Sequence, residues 1–172
     1  LAAEEYLQYL RRTENLPFTT LRPFNTYNRS QVRKPYFVVE RAITQALKEH
    51  HIHLYTPTPI RDLLDRDSHV DAYVRCIGNQ KAIGQCIGVG LGIGTTIGDM
   101  AAKVADIVLK MTGCRIDISW DMAPDRPHDI PCLIVDNEKA KRFLGWQPFY
   151  TLDEGLQIAV LEWADVLGIS LK

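Results

Sequence analysis

The sequence predicts an α/β fold of short strands alternating with amphipathic helices. Two observations lead there. Short apolar, β-branched runs (Leu16 to Leu21, Ile52 to Tyr55, Ile60 to Leu64) alternate with stretches whose apolar residues recur at helical spacing. Helix starts are also marked explicitly, by Thr96-x-x-Asp99 and Thr151-x-x-Glu154, the capping-box pattern in which side chains satisfy the free N–H groups of a first turn.

Taken in order, Leu1 to Leu10 is strongly helix-forming but lacks a capping residue, so the chain reads as starting in mid-helix. Leu16, Phe18, Thr19, Thr20 and Leu21 then form a buried strand running into Arg22-Pro23-Phe24-Asn25-Thr26-Tyr27, with Pro23 ending the ladder. In open parallel sheets ligands sit beyond the carboxyl ends of strands, which makes Pro23, Phe24 and Asn25 candidates to line a site. Asn28 to Pro35 is a polar, basic loop. Tyr36 to Glu49 is a helix with Val38, Val39, Ala42, Ile43, Ala46 and Leu47 inward. Strands are expected over 52–55 and 60–64. A helix capped by Ser68 should bury Val70, Tyr73, Val74 and Ile77. Gln85 to Ile87 is a strand entering the glycine run 88–98. The next helix has Ile97, Met100, Ala101, Val104, Ile107, Val108 and Met111 inward and ends at Gly113. Arg115 to Trp120 alternates like a half-exposed strand, Asp136 caps a short helix, and Thr151 opens a last helix burying Leu152, Leu156, Ala159, Val160 and Trp163.

Composition narrows the function classes. The 172 residues are 46% hydrophobic and 24% charged with net charge -1, which offers no basic field for nucleic acid. No apolar run reaches the roughly 20 residues of a membrane helix. The four cysteines, Cys76, Cys86, Cys114 and Cys132, are widely spaced and read as reduced, largely buried thiols.

Most tempting motifs fail on spacing. Gly88-x-Gly90-x-Gly92-x-Gly94 is neither G-x-G-x-x-G nor a Walker loop, and reads as a tight strand-to-helix connection. Asp62, Asp65, Asp67 and Asp71 lack the glycine and terminal glutamate of a calcium loop; Asp62 is expected to pair locally. His50, His51 and His53 read as solvated imidazoles at a helix end, and no metal is expected. Arg61 and Arg126, each beside Asp and Pro, are candidate forks for a diphosphate or structural Arg–Asp pairs.

In sequence order, Leu1-Ala2-Ala3-Glu4, Leu21-Arg22-Pro23-Phe24-Asn25-Thr26-Tyr27, Pro57-Thr58-Pro59-Ile60-Arg61-Asp62, Asp67-Ser68-His69-Val70-Asp71-Ala72-Tyr73, Arg126-Pro127-His128-Asp129-Ile130, Leu144-Gly145-Trp146-Gln147-Pro148 and Leu152-Asp153-Glu154-Gly155-Leu156 resemble the C-terminal half of extended short-chain dehydrogenases/reductases. More narrowly, they resemble nucleotide-sugar epimerases and 4,6-dehydratases of the GDP-mannose 4,6-dehydratase kind. The resemblance implies the C-terminal part of an extended Rossmann-type fold, without the N-terminal cofactor-binding core. Residues 1–27 would end the Rossmann-type domain, 28–172 would be mainly substrate-binding, and 84–112 would return to the Rossmann sheet.

In that family Leu-Ala-Ala-Glu follows a catalytic Tyr-x-x-x-Lys, a motif this sequence does not contain. The resemblance therefore implies a portion inactive alone. Asn25, Phe37, Val38, Arg61 and Arg126 would hold a nucleotide-diphosphate sugar, with the two arginines on the diphosphate. Pro23 and Phe24 would flank the nicotinamide of NAD or NADP. No catalytic residue and no metal ligand is carried over. The implied location is cytoplasmic, and the implied protein partner is a Rossmann-domain chain or a second copy. Departures from the family pattern are Asn28 for a usual Gly, Gly88 for a frequent Asn, and Asp65-Arg66-Asp67-Ser68 for Tyr-Val-Asp-Asp, which sets charge on an apolar strand. They leave open a non-catalytic sugar-nucleotide-binding module, a degenerate remnant, or a structural half.

Overall fold

Among the described residues, three small, mainly parallel sheets pack with the helices between them. The computed structural model describes residues 2–27, 37–121 and 130–171. Helix α1 (Ala2–Glu14) consists of good helix formers, and Asn15, at φ 54°, turns the chain out of it. None of its residues is buried. Glu4 pairs with Arg22, and Gln8 Nε2 donates to the Gly84 carbonyl at 3.2 Å, which lays the helix along the first sheet.

That sheet pairs β1 (Thr20–Pro23) in parallel with β5 (Cys86–Val89), Thr20 beside Cys86 and Pro23 beside Val89. Pro23 is the last residue of β1, as its missing N–H demands. The Phe24 N–H still reaches the Val89 carbonyl at 3.0 Å. One residue later the chain enters a different sheet. β2 (Asn25–Tyr27) runs parallel to the second half of β4 (Ile60–Asp65), with Asn25 beside Leu63. The first half of β4 pairs with β6 (Gly94–Thr96) antiparallel and with β8 (Cys132–Leu133) parallel. A third sheet pairs β3 (His51–Leu54) with β7 (Asp117–Trp120), again parallel.

Helix α2 (Val38–Glu49) begins two residues later than expected and ends at His50, φ 52°. α4 (Ile97–Thr112) starts at Thr96, whose hydroxyl accepts the Asp99 N–H at 2.9 Å, and stops at Gly113, φ 78°, as expected. α5 (Leu152–Leu167) carries the full Thr151–Glu154 capping box. These helices pack on one another around Ile43, Met100, Val104, Leu156 and Val160, each fully buried. A second core gathers Leu64, Ala72, Ile87, Val89, Leu144 and Trp146. Adjacent side chains on a strand face opposite ways, so Leu63 enters the first core and Leu64 the second: β4 is the partition between them.

Helix α3 (Arg66–Cys76) corrects two expectations. Its cap is Asp65, whose Oδ1 accepts the Ser68 N–H at 2.8 Å, not Ser68. Asp65 is thus both the buried last residue of β4 and the cap of α3, while Arg66 belongs to the helix rather than the strand. The expected inward face is also outward: Val70, Tyr73, Val74 and Ile77 are exposed. The buried face is small, Ser68 and Ala72, because Trp146 fills the space beside it and donates Nε1–H to the Ser68 carbonyl at 2.9 Å. The four cysteines are free, but none is buried; Cys132, on the short strand β8, is exposed. A brief π-helical turn (Ala140–Leu144), closed by Gly145, replaces the short helix, and Asp136 accepts the Glu138 N–H ahead of it at 2.9 Å.

Truncating Leu156 should leave a cavity under three helices. Leu156→Ala is expected to lower the unfolding free energy by about 2–5 kcal/mol, read as a lower urea midpoint at unchanged slope.

Candidate functional site

The residues at the β1–β2 crossing open onto a cleft of about 680 Å³, a size that suits a small ligand. Pro23, Phe24, Asn25, Thr26 and Tyr27 form one wall, Phe37 to Glu40 at the start of α2 another, and Leu63, Leu133 and His69 complete it. Most of this lining is apolar. Asn25, Thr26, Glu40 and His69 supply polar groups.

Asn25 is placed by two bonds to one strand. Its backbone pairs with Leu63, and its Nδ2 donates to the Asp62 carbonyl at 3.2 Å. The fold thus brings together five residues singled out in the sequence: Pro23, Phe24, Asn25, Phe37 and Val38. Arg61 stands apart from the cleft lining. It shares a face of β4 with Leu63, two residues on, and its Nη1 donates to the carbonyls of Ile60 at 2.9 Å and Ile130 at 2.7 Å. Arg126 lies outside the described residues.

Asp62 is the residue that sequence reasoning misjudged. It is fully buried, and instead of pairing locally its carboxylate accepts the N–H groups of Leu91 at 2.7 Å, Gly92 at 2.8 Å and Val135 at 3.2 Å. Burial pushes its pKa above the ordinary carboxylate value against the pull of those three donors. Gly88 and Gly90 leave room for this approach. A Cβ on Gly90 would lie 2.8 Å from Asp62 Oδ2, and one on Gly88 2.5 Å from a Val135 methyl. The only available signal was an acidic residue next to a glycine-rich segment far along the chain.

His69 is a second group the sequence did not mark. Its Nδ1 lies 2.9 Å from the Thr26 hydroxyl, which also reaches the Phe24 carbonyl at 3.1 Å. The threonine has one proton and the carbonyl can only accept. Both bonds form when Thr26 donates to Phe24 and His69 Nδ1–H donates to Thr26. Nε2 is then a bare lone pair, buried and without a partner among the described residues. Burial lowers the imidazole pKa, opposed by the charge of Asp65.

The GDP-mannose 4,6-dehydratase family profile matches residues 1–159. The chain belongs to this family. Its relatives include UDP-glucose 4-epimerase of Mycolicibacterium smegmatis, 28% identical over 91% of this chain and 48% of that protein. UDP-glucose 4-epimerase of Rhizobium meliloti is 30% identical over 55% of this chain and 28% of the relative. Among solved structures, UDP-glucose 4-epimerase of Thermotoga maritima, determined with UDP-glucose, superposes at TM-score 0.82 with 26% identity, over 96% of this chain and 52% of that one. UDP-glucuronic acid 4-epimerase of Bacillus cereus, in complex with UDP-glucuronic acid and NAD, shares the fold at TM-score 0.78 and 21% identity, over 95% of this chain and 50% of that one. The chain thus has the α/β architecture of Rossmann-type epimerases and spans about half the length of these structures. Among the described residues no helix is long and apolar enough to cross a membrane.

Replacing Asp62 by Asn turns an amide N–H₂ against backbone donors. Asp62→Asn is expected to cost about 1–3 kcal/mol, measured by urea denaturation. His69 should titrate below the ordinary 6.5, with Nδ1 protonated, in ¹⁵N spectra of the imidazole. The folded state then binds fewer protons than the unfolded one. The stability His69 contributes is present above the unfolded pKa and lost as pH falls through the folded value, so His69→Gln should flatten the acid side of the stability profile.

Proposed function

We propose that the chain is the nucleotide-sugar-binding portion of an NAD(P)-dependent sugar-nucleotide 4,6-dehydratase or epimerase. The observation that carries this reading is the convergence of Pro23, Phe24, Asn25, Phe37 and Val38 on one cleft in a chain of this family. Asn25, held on β4 through the Asp62 carbonyl, positions the sugar near its diphosphate. Arg61 lies two residues before Leu63 on the same face of β4, and a phosphate oxygen accepting from its guanidinium gives a charge-assisted bond. With Arg126 it forms the diphosphate clamp.

Residues 1–27 end the Rossmann-type domain and 84–112 return to its sheet, a division supported by the parallel pairing of β1 with β5. The rest of 28–172 is mainly the substrate-binding region. Pro23 and Phe24 offer an apolar surface of the kind a nicotinamide ring packs on, at the end of the cleft nearest β1. NAD or NADP, when bound, supplies reversible hydride transfer at the sugar. The sequence contains neither Tyr-x-x-x-Lys nor G-x-G-x-x-G, so in this reading the proton-transfer pair and the cofactor's phosphate cradle come from outside these 172 residues, and the chain alone is inactive. A Rossmann-domain chain or a second copy is the partner expected.

A second reading, a sugar-nucleotide-binding module without catalysis, is favoured by the same missing motifs. The departures from the family pattern do not argue for a decayed remnant, since Asp65 and Ser68 are buried and both are hydrogen-bonded.

Calorimetric titration with UDP-glucose and GDP-mannose tests the site. Saturable heat is expected with one of them, weakened by about 1–3 kcal/mol in Asn25→Ala and in Arg61→Ala. Absence of heat with either ligand would remove the binding site from the proposal.

A further inference from the structure

β3 and β7 lie in parallel register, His53 beside Ser119 and His51 beside Asp117. Alternation puts His51, His53, Ser119 and Asp121 on one face, while Ile52 and Leu54 turn into the core. On the outer face these four side chains are joined. His51 Nε2 is 2.7 Å from Ser119 Oγ, His53 Nδ1 is 2.8 Å from the same oxygen, and His53 Nε2 is 2.7 Å from Asp121 Oδ1. The two imidazoles are exposed, as expected from sequence, and are also joined through Ser119 and Asp121.

The proton order follows from the donors available. With neutral imidazoles, the Asp121 carboxylate takes His53 Nε2–H, which leaves the lone pair on His53 Nδ1. Ser119 donates its hydroxyl proton to that lone pair and receives His51 Nε2–H. Two imidazole nitrogens thus aim at one point, and a carboxylate fixes the tautomer of one of them. A carboxylate holding the remote N–H of a ligating histidine is the outer-shell arrangement of zinc sites.

We propose that His51 and His53 chelate a zinc ion on the exposed face of the β3–β7 sheet, through His51 Nε2 and His53 Nδ1, with Asp121 as the orienting residue. To bind, His51 moves its proton to Nδ1 and Ser119 swings aside or ligates through its oxygen. Among the described residues no three His, Cys, Asp or Glu side chains group to hold a metal. The ion therefore has two strong protein donors and completes its tetrahedron with water or the serine hydroxyl, which makes the site exchangeable rather than closed. His53 and Asp121 are each more than 40% exposed, so the ion enters from solvent without any rearrangement of the core. The site lies at the far end of α2 from the cleft, about 18 Å along a helix of this length, and is independent of nucleotide-sugar binding.

Calorimetric titration of the whole chain with zinc chloride near neutral pH, paired with thermal melts, tests the proposal. One saturable site per chain and a zinc-dependent rise in Tm are expected. His51→Ala and His53→Ala should each weaken binding by at least about tenfold and abolish the rise, and Asp121→Asn should weaken it by about tenfold. All three exposed variants should melt like the parent without zinc. No heat up to about 1 mM zinc would overturn the proposal. So would full binding in both histidine variants, which would put the ion on the free thiols.

Discussion

The Asp62 carboxylate is the constraint on which the arrangement depends. A buried carboxylate is costly unless its lone pairs are filled, and three backbone N–H groups from two distant segments fill them. Those bonds tie the middle of β4 to the turn after β5 and to the residues after β8. Because β4 also separates the two cores, one acidic side chain sets the spacing of both. The small residues at 88 and 90 are a consequence: the segments must approach closely for the bonds to form.

The cleft inherits its geometry from the same strand. Asp62 offers its side chain to two distant segments and its carbonyl to Asn25, so the residue that holds β4 in place also holds the cleft's polar wall. On the opposite side, Thr26 hands its proton to Phe24 and takes one from His69, which locks the β1–β2 crossing to α3. What lies between is mostly apolar, with Asn25, Thr26, Glu40 and His69 supplying the polar groups.

What the sequence made legible was local. The Thr96 and Thr151 caps, the Gly113 stop and the inward faces of α2, α4 and α5 depend on residues within a turn or two of each other, and each stands where the pattern puts it. The candidate residues Pro23, Phe24 and Asn25 were legible because Pro must end a ladder. What was illegible was non-local. The spacing of Val70, Tyr73, Val74 and Ile77 marks a helix but not its packing direction, which Trp146 decides. The role of Asp62 depends on Leu91, Gly92 and Val135, and β6 and β8 exist only because β4 offers them edges. The histidines of β3 gained meaning only when β7 set Ser119 and Asp121 beside them.

Among the described residues, no two strands adjacent in sequence pair with each other: β1 joins β5, β2 joins β4, β3 joins β7, and β4 also joins β6 and β8. The described residues therefore hold no β-hairpin that could form early and alone. Each ladder must wait for a loop of intervening helix and strand to close, and that closure entropy is spent before any sheet contact repays it. Helices α4 and α5, whose caps are written locally, are the elements able to form first, and the sheets assemble on them. Folding speed is thus governed by topology.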